Sequence, residues 1–222
     1  KPGLRKARRA PQFSNVNHTL RKIQRIYRAF QWRNLLEGFS FVFKMLQYSR
    51  WSNSMKSYLT ALDDGSFMRV QYGSKINGLL VEYYDKDYNL TGTKIIGKEL
   101  PVFGGFYATK DNYYVVTGEN NTDEDNTKEV YRITKYDKHW NKITSTGLTN
   151  CNTTKPFNAG SCRIDVSGNS MIIHTCHEMY KSDDGYNYQV NVTIQVDIDK
   201  MKITDSYTGV MDQRGSRILH NG

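Results

Sequence analysis

The stretch Ile172-Ile-His-Thr-Cys-His-Glu-Met-Tyr180 gathers the side chains best suited to chemistry. His174, Cys176 and His177 are residue types that bind zinc. A strand, however, points alternate residues to opposite faces. On a strand, His174, Cys176 and Glu178 share one face and His177 lies on the other. The two histidines could converge only through a bulge. The chain also has neither a Cys-x-x-Cys nor a helical His-Glu-x-x-His. The expectation is no metal site. The stretch then supplies either polar residues of a core or channel, or a ligand-binding cluster of His174, His177, Glu178 and Tyr180.

Asp85-Lys-Asp-Tyr-Asn89 opens like a calcium loop, but Leu90 replaces the glycine and Ile96 the bidentate glutamate. A hairpin turn explains these residues better. The acidic loop Asp123-Glu-Asp125 has solvation as its default role. Asn-x-Ser/Thr sequons at Asn17, Asn89, Asn120, Asn152 and Asn191 matter only in a eukaryotic secretory setting. No Ser/His/Asp order, phosphate-cradling glycine loop or paired-carboxylate motif stands out. No catalytic residue and no cofactor is therefore assigned.

The elements that must position these residues repeat. Val81-Glu-Tyr-Tyr-Asp85, Tyr131-Arg-Ile-Thr-Lys-Tyr-Asp137 and Thr193-Ile-Gln-Val-Asp197 are β-prone runs that end in aspartate, cross a polar turn and resume. Asp85, Asp137 and Asp197 are spaced by 52 and 60 residues, and Lys142-Ile-Thr144 matches Lys202-Ile-Thr204. A second marker, Phe103-Gly-Gly-Phe106, is followed about 55 residues on by Pro156-Phe-Asn-Ala-Gly-Ser161. Fixed-period similarity signals a repeat architecture. In the middle unit the pattern predicts strands over 105–108, 113–117, 130–136 and 143–148, with a solvated loop over 119–129. Four strands in roughly 50 residues suit a propeller blade. The expected fold is all-β: three four-stranded propeller-type blades over about 52–99, 100–153 and 154–210. Three blades are too few to close a ring, so further blades or a partner chain are expected to cover the open edges.

Charge separates the ends from the middle. Residues 1–50 hold twelve Lys or Arg and only Glu37, which is +11. The remainder holds nineteen Lys or Arg and twenty-one acids, which is −2, and the sum is the stated +9. Residues 1–51 form a basic arm with helical periodicity over 20–36, where Leu20, Ile23, Tyr27 and Phe30 share a side. Such a helix packs on a sheet or meets an anionic membrane surface; nucleic acid is the weaker partner. The arm is also the segment whose native origin is in question. No signal peptide is visible in it. Cys151, Cys162 and Cys176 allow one bridge and a free thiol, or three thiols.

Leu100-Pro-Val-Phe-Gly-Gly-Phe-Tyr107, Val130-Tyr-Arg-Ile-Thr-Lys-Tyr-Asp137, Pro156-Phe-Asn-Ala-Gly-Ser161 and His174-Thr-Cys-His-Glu-Met-Tyr180 together resemble a family of uncharacterised bacterial propeller-like repeat proteins. The resemblance covers about residues 52–210. It implies an extracytoplasmic protein, secreted or at the cell surface, and carries no catalytic residues with it. The tail 211–222 does not continue the pattern, and the chain is expected to be a fragment of a larger protein. The functional expectation is a non-enzymatic module that binds a protein or glycan partner, with His174, His177, Glu178 and Tyr180 near a channel mouth. The alternatives are a carbohydrate-active enzyme on the same fold, and nucleic-acid or anionic-membrane binding through the arm.

Overall fold

Period-2 alternation and β-branched or aromatic residues make strands wherever one face can be buried. The structure, a computed structural model, describes residues 57–72, 78–158 and 160–208. The basic arm with its helix, and the tail 211–222, lie outside the described residues. The described residues form thirteen strands and no helix, in three antiparallel sheets. All of them belong to one compact unit, residues 47–222.

Sheet A is the meander β1 (Ser57–Ala61), β2 (Phe67–Tyr72), β3 (Leu79–Tyr84) and β4 (Leu90–Ile96). Sheet B repeats it with β5 (Val102–Ala108), β6 (Tyr113–Gly118), β7 (Tyr131–Tyr136) and β8 (Lys142–Leu148). These are the four strands expected in the middle unit, with ends moved by at most three residues. Sheet C has β10 (Arg163–Ser167), β11 (Ser170–Lys181), β12 (Asn187–Asp197) and β13 (Lys202–Tyr207) in order. It gains a fifth strand, β9 (Thr153–Pro156), which pairs with the distal part of β11.

Sheet B is covered on both sides. Tyr113 and Val115 of β6 join the apolar cluster shared with Met68, Val70, Leu79 and Val81 of sheet A. Tyr114 and Val116 join the cluster shared with Met171, Ile173, Val192 and Ile194 of sheet C. Every residue of β6 is therefore buried, and the strand is a continuous apolar run closed by Thr117 and Gly118. Sheet C alternates instead. In β11, Met171, Ile173, Thr175 and His177 face inward, while Ile172 and His174 are exposed and Cys176 and Glu178 half-buried.

The aspartate repeat has a structural cause. Asp85, Asp137 and Asp197 each follow or end the third strand of a sheet and shape the turn into the fourth. The Asp85 carboxylate accepts from the Asp87 and Asn89 backbone N–H groups and from the Asn89 side chain. Asp137 repeats all three bonds with His139 and Asn141. Asp197 accepts from the N–H groups of Asp199 and Lys200. In each turn one residue is left-handed: Tyr88 (φ 65°), Trp140 (φ 66°) and Met201 (φ 48°). This is the geometry of a type I turn followed by a bulge residue. The Asp85 carboxylate is thus fully engaged in a turn, which accounts for the calcium-like residues.

The glycine markers are not structurally equivalent. Phe103–Phe106 lies inside β5, whereas Pro156–Ser161 spans the end of β9 and the approach to β10. The two are partners rather than copies. Side chains at Gly104 or Gly118 would collide with the ring of Phe157, so the glycines form a slot that receives it. Phe157 is buried there and meets Tyr131 edge-on at 5.4 Å. A Cβ at Gly105 would stand 3.2 Å from Cys162 Sγ, 3.2 Å from Ile164 Cδ1 and 3.3 Å from Tyr58 Oη. Gly105 is therefore the point where the first strand of sheet B meets the segments that begin sheets A and C.

Trp140 ties sheet B to sheet A. Its ring packs on Phe106, Tyr113 and Tyr136, and its Nε1 donates to Tyr83 Oη of β3 at 3.0 Å. A left-handed tryptophan is unfavourable by itself, so burial of the ring must hold it. Trp140→Ala is expected to destabilise the chain by about 3–5 kcal/mol, read as a lowered urea midpoint with an unchanged m-value.

Candidate functional site

The chemistry-bearing stretch is β11, and strand alternation splits it as the spacing predicts. His174 is exposed on the outward face of sheet C; its Nδ1 shares a hydrogen bond of 3.0 Å with Thr193 Oγ1. Cys176 lies beside it on the same face and its thiol donates to Asn191 Oδ1 at 3.2 Å. Cross-strand neighbours extend this face: Arg163 is opposite His174, and Gln195 is opposite Ile172. His177 faces the other way, into the seam between sheets B and C, and is 0 % exposed.

Glu178 returns to the outward face but is occupied by β9. Its Oε1 accepts from Lys155 Nζ at 2.7 Å and its Oε2 from Asn158 Nδ2 at 3.0 Å. Tyr180 follows an irregularity in the β11 pairings. Its Oη accepts from Asn121 Nδ2 at 2.9 Å. The four expected site residues thus fall in three environments. His174 and Glu178 share a face, His177 is on the opposite one, and Tyr180 contacts the loop from sheet B.

A histidine and a hydroxyl do meet in the buried seam. Thr153 Oγ1 and His177 Nδ1 are 2.6 Å apart. A nucleophile and its base stand at such a distance. Here, however, both residues are fully buried, and the Thr153 hydroxyl donates to the Cys151 carbonyl at 2.8 Å. A hydroxyl has one hydrogen. Which member of the pair donates follows the imidazole tautomer. Nε2 has no partner within hydrogen-bond geometry. The pair is a structural pin between β9 and β11. Burial pushes the imidazole pKa down to about 4, with the Thr208 backbone acting in the opposite sense.

A second pin is Asn121, which had no distinguishing signal in the sequence beyond its place in an acidic loop. It is fully buried. Its backbone N–H donates to the Thr154 carbonyl at 2.7 Å, and its side chain bonds both Asp125 backbone groups as well as Tyr180. Glu124 Oε1 accepts from the Lys181 backbone at 2.7 Å. The 119–129 loop, expected to be merely solvated, is thereby fastened across sheet C. Thr153 was equally hidden, because its role depends on how β9 pairs.

The three cysteines are free thiols. Burial pushes the Cys162 thiol up to about 12, which keeps it protonated and unreactive. Among the described residues no group of three or more His, Cys, Asp or Glu could hold a metal ion. Three of the sequon asparagines are already committed: Asn89 to Asp85, Asn152 to the Tyr180 backbone, and Asn191 to Cys176.

His177 gives the fold a pH dependence with a definite sign. Its pKa falls from 6.5 in the unfolded chain to about 4 in the folded one. Between these values the unfolded chain binds the proton and the folded chain does not. The stability due to neutral His177 is present in full above pH 6.5 and is lost as pH falls towards 4, a total of about 3 kcal/mol. Urea titrations at pH 7 and 4.5 are expected to show a steeper loss for the native chain than for His177→Leu. No protein-family model matches this chain, and no curated protein compared with it is detectably similar.

Proposed function

We propose that this chain is a non-enzymatic binding module of propeller type, belonging to a secreted or cell-surface protein, that holds a protein or glycan partner. Three four-stranded meanders stack in chain order, and their leading segments converge at Gly105, as the inner strands of blades do. The resemblance to exported repeat proteins adds the location.

The distribution of polar side chains is the observation that carries the binding role. Groups suited to catalysis are committed to structure: Thr153 and His177 are sealed in the seam, and Glu178 is neutralised by Lys155. The outward face of sheet C instead presents Arg163, His174, Asn191 and Thr193 on adjacent strands. A wide row of hydrogen-bonding groups on a rigid sheet suits recognition rather than turnover. The polar character of this face also directs any further blade or partner chain to sheet A. There, on the side away from sheet B, Leu59 and Ile95 are exposed. Nucleic-acid or membrane binding would belong to the basic arm, outside the described residues.

The test is retention of immobilised polysaccharides and cell-surface proteins by the full chain. The double variant Arg163→Ala/His174→Ala is expected to weaken the retained ligand about tenfold or more, as loss of charged and polar contacts of about 1.4 kcal/mol or more requires, with the melting midpoint unchanged. Equal binding by the double variant would remove the outward face from the site. Release of new reducing ends from any polysaccharide would replace the reading with that of a carbohydrate-active enzyme.

A further inference from the structure

The hairpin of β11 and β12 is longer than any other in the described residues, with strands of twelve and eleven residues. β13 pairs with β12 only from Thr193 onward. Residues 187–192 therefore run past it by roughly 20 Å at ~3.3 Å per residue. This distal part is braced at its base. Asn152 Oδ1 accepts from the Tyr180 backbone, Glu124 from the Lys181 backbone, and Asn187 Nδ2 donates to the Met179 carbonyl. The turn is fixed by Gly185 (φ +87°) and by the Asp184 carboxylate, which accepts from the Tyr186 N–H at 3.1 Å.

Two aromatic rings stand on this braced tip. Tyr186 is 69 % exposed and Tyr188 46 % exposed. Strand alternation puts Tyr188 on the side that bears Val190 and Val192, and Tyr186 stands at the end of the turn, just before β12. The Tyr188 hydroxyl donates to Asp184, so that ring is held before any ligand arrives. Apart from the two rings, residues 181–189 carry no large apolar side chain; they are Lys, Ser, Asp, Asp, Gly, Asn and Gln. Protein hot spots are ringed by contacts that exclude water. Here the rings are surrounded by hydrogen-bonding groups. A polyhydroxylated ligand, with apolar C–H faces and a hydroxyl rim, fits such a surface better.

We propose that the distal β11–β12 hairpin is a glycan-binding site, in which Tyr186 and Tyr188 stack on sugar rings and the exposed Asp183 accepts from sugar hydroxyls. The inference rests on the binding role proposed above and names its partner class. The full chain is tested on an array of immobilised glucose, xylose, mannose and N-acetylhexosamine polymers. The affinity for the best-retained soluble polymer is then measured by calorimetry. Tyr186→Ala and Tyr188→Ala are each expected to weaken binding about tenfold, and Tyr186→Phe to stay within about twofold, because stacking needs the ring and not its hydroxyl. Circular dichroism and the melting midpoint are expected to stay unchanged, since both side chains are exposed. Retention of a polymer that both alanine variants bind normally overturns the tyrosine site while leaving a binding module intact. Retention of no polymer, or a protein ligand whose binding needs Tyr186, overturns the glycan class.

Discussion

Burial of both faces of sheet B is the constraint on which the rest of this structure depends. A sheet wrapped on two sides cannot alternate polar and apolar residues, and β6 does not. Its close contacts then set local chemistry. Where β5 meets its neighbours, a side chain at Gly104 would strike the Phe157 ring and one at Gly105 would crowd Cys162, Ile164 and Tyr58. Where the chain crosses from sheet B to sheet C, Phe157 fills the slot left by Gly104 and Gly118. Sheet C follows a different rule, in which one face is apolar and the other alternates with it as a polar face.

Much of this was legible because it is local. The aspartate at the third-to-fourth-strand turn is visible in the sequence since its carboxylate bonds the backbone two to four residues on. The split between His174 and His177 follows from a period of two. What was hidden depends on contacts between residues distant in sequence. Thr153 meets His177 only because β9 pairs with the far part of β11. Asn121 became a buried hub only when the acidic loop lay across sheet C. The glycine motifs misled for a related reason: similar composition marked the two halves of one packing interaction, not two copies of one element. The exposed tyrosines at the hairpin tip gave no periodic signal, since exposure there follows from the shortness of β13.

The expected site residues illustrate how a fold divides labour along a single strand. Inward residues of β11 maintain the seam, outward residues remain available, and Tyr180, beyond the irregularity, anchors a neighbouring loop. A cluster that looks like one site in sequence is thus three structural roles set a few residues apart. The outward face of sheet C and the hairpin tip lie outside the buried seam, so side chains there can change at little cost to the core.

Trp140 has a consequence for how the chain folds. Its turn requires a backbone conformation that tryptophan disfavours, and the ring is compensated by Phe106, Tyr113 and Tyr136 of its own sheet and by the Tyr83 hydroxyl across the seam. The β7–β8 hairpin can therefore close against β5 and β6 of its own sheet, and docking on sheet A adds the Tyr83 bond. That bond and the shared apolar cluster couple sheets A and B as they fold. A lone sheet B meander would keep the rings that hold its last turn but expose the apolar face that sheet A covers.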